Sequence, residues 1–326
     1  MRRFWIQTLG FLVILTISIG SIKNPYTHGY IEDLKGTTMA VANMETDLYS
    51  EISEKAKSYE VPAQDAQIHR VWKAIPGYNG LTVDIGASYK KMKNKKKFEE
   101  DLLVYKQVPP KIHLSDLPPQ PIYRGHEDKP MVSFLINVAW GNEYLPDMLD
   151  VLNKHHVKAT FFLEGRWVKE NPDMARMIHD AGHLIGNHSY SHPDMSKLTR
   201  EQIIKQLKNT NEIIKATTGV DVNWFAPPSG SFRQEVVDIA DDMGMKTLLW
   251  SVDTVDWKKP QPSVLVDRVM KKVHNGGMIL MHPTAPTASS LETLIIAIKE
   301  KGYSLGSVSS LLDEERISGS NNTEKH

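Results

Sequence analysis

Apolar and polar positions along residues 129–312 alternate between two periods. Short apolar runs rich in β-forming residues are separated by longer segments in which apolar residues recur at helical spacing. Strands are predicted at residues 131–140, 158–163, 183–185, 224–225, 247–252 and 277–281. Helices are predicted at 144–151, 172–181, 203–216, 236–243, 264–273 and 291–299, and a last segment at 303–312 closes the series. This alternation predicts a parallel α/β architecture, most simply a barrel.

The first residues follow a different pattern. Arg2 and Arg3 precede an apolar run over residues 4–22, which is close to the roughly 20 residues that cross a bilayer. We therefore predict an export signal or membrane anchor over 1–23, uncleaved in preference to cleaved, with the rest of the chain outside the cell membrane. A buried core helix is the alternative. Residues 24–60 are polar without a clear period, and they predict a linker.

Residues 61–107 predict a small α/β module, with helices at 66–75 and 87–98 and strands at 81–85 and 102–106. Its lysines between residues 90 and 97 could contact an anionic polymer or lipid headgroups, but we interpret them in preference as a solvated helix face. Prolines then mark a stiff connector over 108–128. At the other end, the polar tail over 314–326 is predicted to be disordered.

Charge and cysteine content narrow the chemistry. Thirty-nine basic residues balance 39 acidic ones, so no overall field favours nucleic acid. The chain has no cysteine, which excludes disulfides and thiolate metal sites and leaves His, Asp and Glu as candidate ligands.

The candidate chemistry follows the predicted strands. His188 and His192 come after the third strand, and their spacing of four would place both imidazoles on one face of a helical turn, within reach of one ion. In a parallel barrel, functional residues collect at the carboxyl ends of the strands. Other residues at predicted strand ends are Trp140, Gly141, Pro227, Pro228, Ser229, Gly230, Asp253, Asp256, Trp257, His282 and Pro283.

Four stretches together resemble the polysaccharide deacetylases, the NodB-type family 4 carbohydrate esterases. These stretches are residues 157–162, 188–192, 250–257 and 279–282. The resemblance covers residues 129–312 and is greatest to a sporulation-associated branch of spore-forming bacilli. It implies a distorted (β/α) barrel over 129–313. It also implies removal of acetyl groups from N-acetylglucosamine or N-acetylmuramic acid in peptidoglycan, chitin or related glycans.

The resemblance also implies roles for individual residues. The family holds a divalent metal, usually zinc, on one aspartate and two histidines, and His188 and His192 match the histidines. His282 matches the acid that protonates the leaving amine, and Asp256 matches the carboxylate that orients it. Trp257 matches the apolar wall beside the acetyl methyl. The backbone N–H of Ser229, after Pro228, matches the oxyanion donor.

Three positions depart from the family pattern. Ala139 stands in place of the catalytic base, and Trp140 stands in place of the aspartate ligand. Ala226 stands in place of an arginine that holds the base. Losing the base and the arginine together avoids leaving a buried charge unpaired, which costs several kcal/mol. As replacement oxygen ligands the sequence offers Asn137, Glu143 and Asp253.

Three functions are therefore open. The first is a metal-dependent hydrolase of the N-acetyl bond, weakened or inactive because of Ala139 and Trp140. The second is a non-catalytic protein that binds or scaffolds glycan, and the third is an esterase that uses Ser189 or Ser229 as nucleophile. The expected partners are an N-acetylated cell-wall glycan and a membrane, not nucleic acid. The chain is expected to be an exported monomer.

Overall fold

The computed structural model describes residues 2–22 and 25–317. Its helices are α1 (Arg2–Ile22), α2 (Pro25–Ala56), α3 (Ile85–Met92), α4 (Leu145–Lys154), α5 (Gly165–Glu170), α6 (Pro172–Asp180), α7 (Arg200–Thr218), α8 (Gln234–Asp242), α9 (Pro262–Lys272), α10 (Ala285–Glu300) and α11 (Val308–Leu312). Its strands are β1 (Gln67–His69), β2 (Lys73–Ile75), β3 (Gly80–Val83), β4 (Tyr105–Val108), β5 (Met131–Val138), β6 (Thr160–Leu163), β7 (Leu184–Asn187), β8 (Trp224–Phe225), β9 (Lys246–Thr247), β10 (Val252–Asp253), β11 (Gly277–Met281) and β12 (Ser304–Leu305).

The chain divides into two compact units. Of the described residues, the first unit contains 2–22, 25–61 and 81–106, and the second contains 62–80 and 107–317. The predicted module over 61–107 is therefore divided between them, with residues 62–80 in the second unit.

The first unit is built on α2, which occupies most of the predicted linker. Leu48, Ile52 and Ala56 recur every four residues, so they lie on one face of this helix, and all three are buried. They form a small core with apolar residues of α3 and of the neighbouring strands. The linker prediction for 24–60 is wrong. The short apolar stripe lies at the end of a largely polar segment, so the segment as a whole shows no clear helical period.

The predicted membrane anchor is not supported. Across residues 2–22 and 25–317, no helix combines the length and the apolar character that crossing a membrane requires.

The second unit begins with a β-hairpin where the sequence predicted a helix. β1 and β2 pair antiparallel, with Gln67 opposite Ile75 and His69 opposite Lys73. The apolar spacing of residues 66–75 fits a helical face, but periodicity alone does not decide so short a segment.

The predicted connector over 108–128 is also part of the second unit and not a free spacer. Ile122 is 1% exposed and forms β-bridges with Leu248 and Ala74. The predicted disordered tail is ordered at its start, because Glu314 bonds to His113 (2.6 Å) and Arg316 Nε donates to the Asn79 carbonyl (2.5 Å). Residues 318–326 lie outside the described residues.

A parallel sheet in the order β10-β11-β5-β6-β7-β8-β9 dominates the second unit, and β12 pairs with the start of β5. The predicted single strand over 247–252 is instead β9 and β10, which lie at opposite ends of this order. The chain between them crosses the opening and bonds through Leu248 N to Phe225 O and through Ser251 N to Met278 O. In the described residues the sheet is a curled half-barrel. The predicted parallel arrangement of strands is confirmed, and the predicted closed barrel is not.

Side chains alternate between the two faces of the sheet along each strand, and each face packs in its own apolar cluster. Ile136, Val138, Phe161 and Leu163 face the helices and belong to the main apolar core. Leu135 and Phe162 belong to a smaller cluster on the other face. The register aligns Leu135 with Thr160 and Phe162 with Gly186. Residues of this inner face therefore meet at the carboxyl ends of neighbouring strands.

This packing predicts that Phe161→Ala destabilises the protein by about 3–5 kcal/mol, because the ring is fully buried and its removal leaves a cavity. Urea unfolding followed by circular dichroism measures the change. Met177→Ala on the exposed side of α6 is the control and should change the free energy of unfolding by less than about 0.5 kcal/mol. Equal losses in the two variants would contradict this account of the core.

Candidate active-site cleft

A cleft of about 780 Å³ opens at the carboxyl ends of the strands. It combines imidazoles, carboxylates and indoles from the ends of β5, β6, β7, β9, β10 and β11 and from the loops that follow them. Its lining residues are Asn137, Ala139, Trp140, Glu164, Arg166, Glu170, His188, Ser191, His192, Ser229, Trp250, Asp253, Trp257, Leu280 and His282. The cleft lies at the strand ends, where the sequence predicted a site.

His188 follows β7 and is fully buried at the base of the cleft. Its Nδ1 donates to the carbonyl oxygen of Ala226 at 2.8 Å, which fixes the tautomer and leaves the Nε2 lone pair free. Burial, with His192 nearby, lowers the pKa of His188 to about 3. His188 is therefore a neutral imidazole at physiological pH, the form that binds metal or accepts a hydrogen bond.

His192 lies beside His188, with ring centroids 5.1 Å apart, but the two are not on a helix. Ser189 and His192 have φ of +63° and +54°, so the loop doubles back between them. Asn187 Oδ1 accepts the Ser189 N–H (2.7 Å), and Ser189 Oγ accepts the His192 N–H (3.1 Å). The predicted pairing of the two imidazoles is confirmed, and the helical turn predicted to produce it is wrong.

Asp256 and His282 form the second arm of the site. The Asp256 carboxylate is fully buried and accepts three hydrogen bonds: from His282 Nδ1 (2.8 Å), His282 N (2.5 Å) and Thr287 Oγ1 (2.7 Å). These bonds orient the imidazole and leave Nε2 as the atom of His282 that can exchange a proton with a ligand. This arrangement gives His282 the geometry of an oriented general acid.

Residues 139–141, which follow β5, supply no carboxylate. Gly141 has φ of +84°, and a Cβ there would lie 2.0 Å from the Pro283 carbonyl oxygen, so this turn requires glycine. Ala139 and Trp140 precede it and both line the cleft. The Trp140 ring is 46% exposed and its centroid lies 5.1 Å from that of His282.

The residues present do not fit a catalytic metal site, which needs three protein ligands. Within the part of the chain that the structure describes, no three His, Asp or Glu side chains are grouped so that they could hold an ion. Of the candidate replacement ligands, Asn137 and Asp253 line the cleft, whereas Glu143 is exposed and does not. Asp253 Oδ1 accepts the Val255 N–H (2.7 Å), and Asn137 Oδ1 is buried without a donor among the described residues.

The other predicted site residues are partly brought together. Ser229 lines the cleft in a left-handed conformation (φ +54°), and Pro228 is buried beside it without lining the cleft. Trp257 lines the cleft and is 54% exposed. Ser189 is fully buried and its Oγ accepts a backbone N–H, so this geometry gives no support to a nucleophilic role.

Sequence reasoning missed Glu164, Arg166 and Glu170. Glu164 directly follows β6, at the strand end between those that carry Ala139 and His188. It is 6% exposed, and burial raises its pKa, with Arg166 opposing that shift. The rule that singled out polar residues after the other strands would also have found Glu164.

The family model for polysaccharide deacetylases matches residues 124–248. The chain is 34% identical over 200 residues to the peptidoglycan-N-acetylmuramic acid deacetylase PdaA of Bacillus subtilis, covering 60% of this chain and 76% of the relative. It therefore belongs to the polysaccharide deacetylase family, the family 4 carbohydrate esterases. An uncharacterized protein of B. subtilis, YlxY, is 58% identical over 307 residues, which cover 94% of this chain and 96% of the relative.

A solved structure of similar sequence comes from Bacillus anthracis and is described as a family 4 carbohydrate esterase pseudoenzyme. It is 57% identical and has a TM-score of 0.79, covering 83% of this chain and 96% of that chain. A mutant of that protein is described as having restored enzymatic activity, with a TM-score of 0.79. The predicted family is confirmed, and its pseudoenzyme members agree with the predicted weak or lost activity.

The buried His188 predicts a pH dependence of stability. Its pKa falls from 6.5 unfolded to about 3 folded, so the unfolded state binds the extra proton between these values. The stabilising contribution of the neutral His188 side chain is fully present above pH 6.5. Below that pH, the free energy of unfolding should fall by up to about 1.4 kcal/mol per pH unit. Urea unfolding between pH 7 and pH 4 measures the slope.

In the same experiment, His188→Asn should have a smaller slope than the wild type. The exposed residue His179 provides the comparison, since His179→Gln reveals whether removing any histidine has this effect. An unchanged slope in His188→Asn would contradict the assignment of this pH dependence to His188.

Proposed function

We propose that this protein holds an N-acetylated cell-wall glycan in the cleft, with weak or no hydrolysis of its N-acetyl groups. The observation that carries the proposal is Trp140. An indole stands where the family has a ligand carboxylate, and its ring lies 5.1 Å from that of the oriented His282. The cleft therefore has an acid and stacking surfaces but lacks the groups that would activate water.

The exposed indoles support a binding role. Trp140 and Trp257 both line the cleft with about half of their surface free. An aromatic face that is apolar and already ordered binds a flat ligand surface at low entropic cost. The apolar face of a hexosamine ring is such a surface.

A metal-assisted activity has weaker support. His188 and His192 present two neutral imidazoles, which we propose can hold a divalent ion such as zinc only weakly without a third ligand. The general base, a contribution of about 10²–10⁴-fold, is also missing at Ala139.

The proposed setting follows from the names of the relatives. PdaA is named for its action on N-acetylmuramic acid of peptidoglycan, so we propose that the chain acts as an exported monomer at the cell wall. Its predicted connection with sporulation stays a prediction.

Binding is tested by calorimetric titration of the full chain with N-acetylglucosamine tetramer. Trp140→Ala and Trp257→Ala should each weaken affinity about tenfold, because a central aromatic commonly contributes about 1–2 kcal/mol or more. Tyr105→Ala removes an exposed aromatic that does not line the cleft and should leave affinity unchanged. No binding by the wild type, or equal losses in all three variants, would refute the proposal.

A second test restores the missing carboxylates. Ala139→Asp with Trp140→Asp should bind about one zinc per chain after dialysis and release acetate from the tetramer at least about 10²-fold faster than the wild type. The restored activity of the B. anthracis mutant supports this expectation.

The matched control adds His188→Ala to the double variant, which should abolish both zinc binding and acetate release. Full activity in the unmodified chain, equal to that of the double variant, would overturn the assignment of weak or lost hydrolysis.

A further inference from the structure

A carboxylate that the family chemistry does not use lies within the cleft. Glu164 follows β6, and its backbone N–H donates to the Val138 carbonyl, while Leu163 O accepts from His188 N. The strand register therefore places Glu164 between Ala139 on one side and His188 on the other, on the inner face of the sheet.

This carboxylate is buried and bonds to the backbone N–H of Trp167, but its ion pair is long. Glu164 is 6% exposed, and its partner cation, the guanidinium of Arg166, lies 3.5 Å away. A charge-assisted bond of this kind is usually about 2.7–2.9 Å. Arg166 is itself half exposed and also donates to the Ser191 carbonyl at 3.3 Å. A buried carboxylate with so long a contact is stabilised by any additional cation that enters the cleft.

A second acceptor lies in the same cleft. Asn137 is 3% exposed, and its Oδ1 has no hydrogen-bond donor among the described residues. Asn137 is on β5, the strand next to Glu164, and it also faces inward. An ammonium group offers three N–H donors and a positive charge, which suits two acceptors of which one is anionic.

The charged groups that line the cleft also favour a cationic ligand. Its lining contains the carboxylates of Glu164, Glu170 and Asp253 and only one guanidinium, that of Arg166. An acetamide has a single N–H, and its carbonyl oxygen would face oxygens of the same polarity. A free amine on the sugar satisfies both acceptors and reduces the excess negative charge.

We propose that the cleft selects a glycan that contains a de-N-acetylated unit, with Glu164 as the residue that pairs with its ammonium group. This inference rests on the proposed binding of a cell-wall glycan and specifies its substituent. The ligand would then resemble the product of an N-deacetylase and not its substrate. Glu164 is a specificity-determining residue in this scheme, and Ala139, with its small side chain, leaves room beside it.

The test uses the full chain at about pH 6, where an amine of this kind is protonated. Calorimetry compares N-acetylglucosamine tetramer with the same tetramer carrying one free amine. The wild type should bind the amine-bearing tetramer roughly tenfold more tightly or better, since bonds to charged groups are the stronger ones. Glu164→Gln should bind the two tetramers equally.

Glu212→Gln is the matched control, because it makes the same chemical change at an exposed position of α7 outside the cleft and should keep the preference. Thermal unfolding of each variant establishes that it is folded. Equal wild-type affinity for the two tetramers overturns this inference and leaves the proposed glycan binding intact. A preference that persists in Glu164→Gln also overturns it, and failure of the wild type to bind either tetramer overturns both proposals.

Discussion

The parallel register of β11, β5, β6 and β7 is the constraint on which the site depends. Each strand is buried on both faces, so a shift of one residue would turn its polar end away from the cleft and into the helical layer. The observed register brings the residues after four strands to one edge and points alternate side chains inward. Ala139, Glu164, His188 and His282 meet for this reason.

The two arms of the site differ in how many of the family's groups they keep. Asp256 is buried, and its three hydrogen bonds hold His282 in one orientation, so this arm is complete without a ligand. The other arm keeps two imidazoles but has Ala139 and Trp140 where the family has carboxylates. The changes at 139, 140 and 226 agree with one another, because an arginine kept without its acid would be a buried unpaired charge.

A site without the two family carboxylates has a different balance of charge. The family site holds a dication on an aspartate and two histidines, whereas this cleft has a neutral His188, three carboxylates and one guanidinium. Loss of the aspartate ligand therefore removes the positive charge of the bound ion as well as a catalytic group. In the proposed scheme Glu164 and the exposed indoles determine recognition, so the same groove favours a different glycan substituent.

The sequence alone indicated the alternation of strands and helices in residues 129–312, the strand-end position of the candidate residues, and the missing carboxylates at Ala139 and Trp140. These follow from local periodicity and from motifs whose residues are close in sequence. Only the tertiary structure decided the β1–β2 hairpin, the split of residues 247–252 between opposite ends of the sheet, the core contacts of α2, and the place of Glu164 beside His188. The β1–β2 hairpin pairs residues that are close in the chain, and its short apolar run fits a helix as well as a strand. The other three depend on contacts between residues far apart in the chain, and a single strand or helix has no pattern that specifies its distant partner.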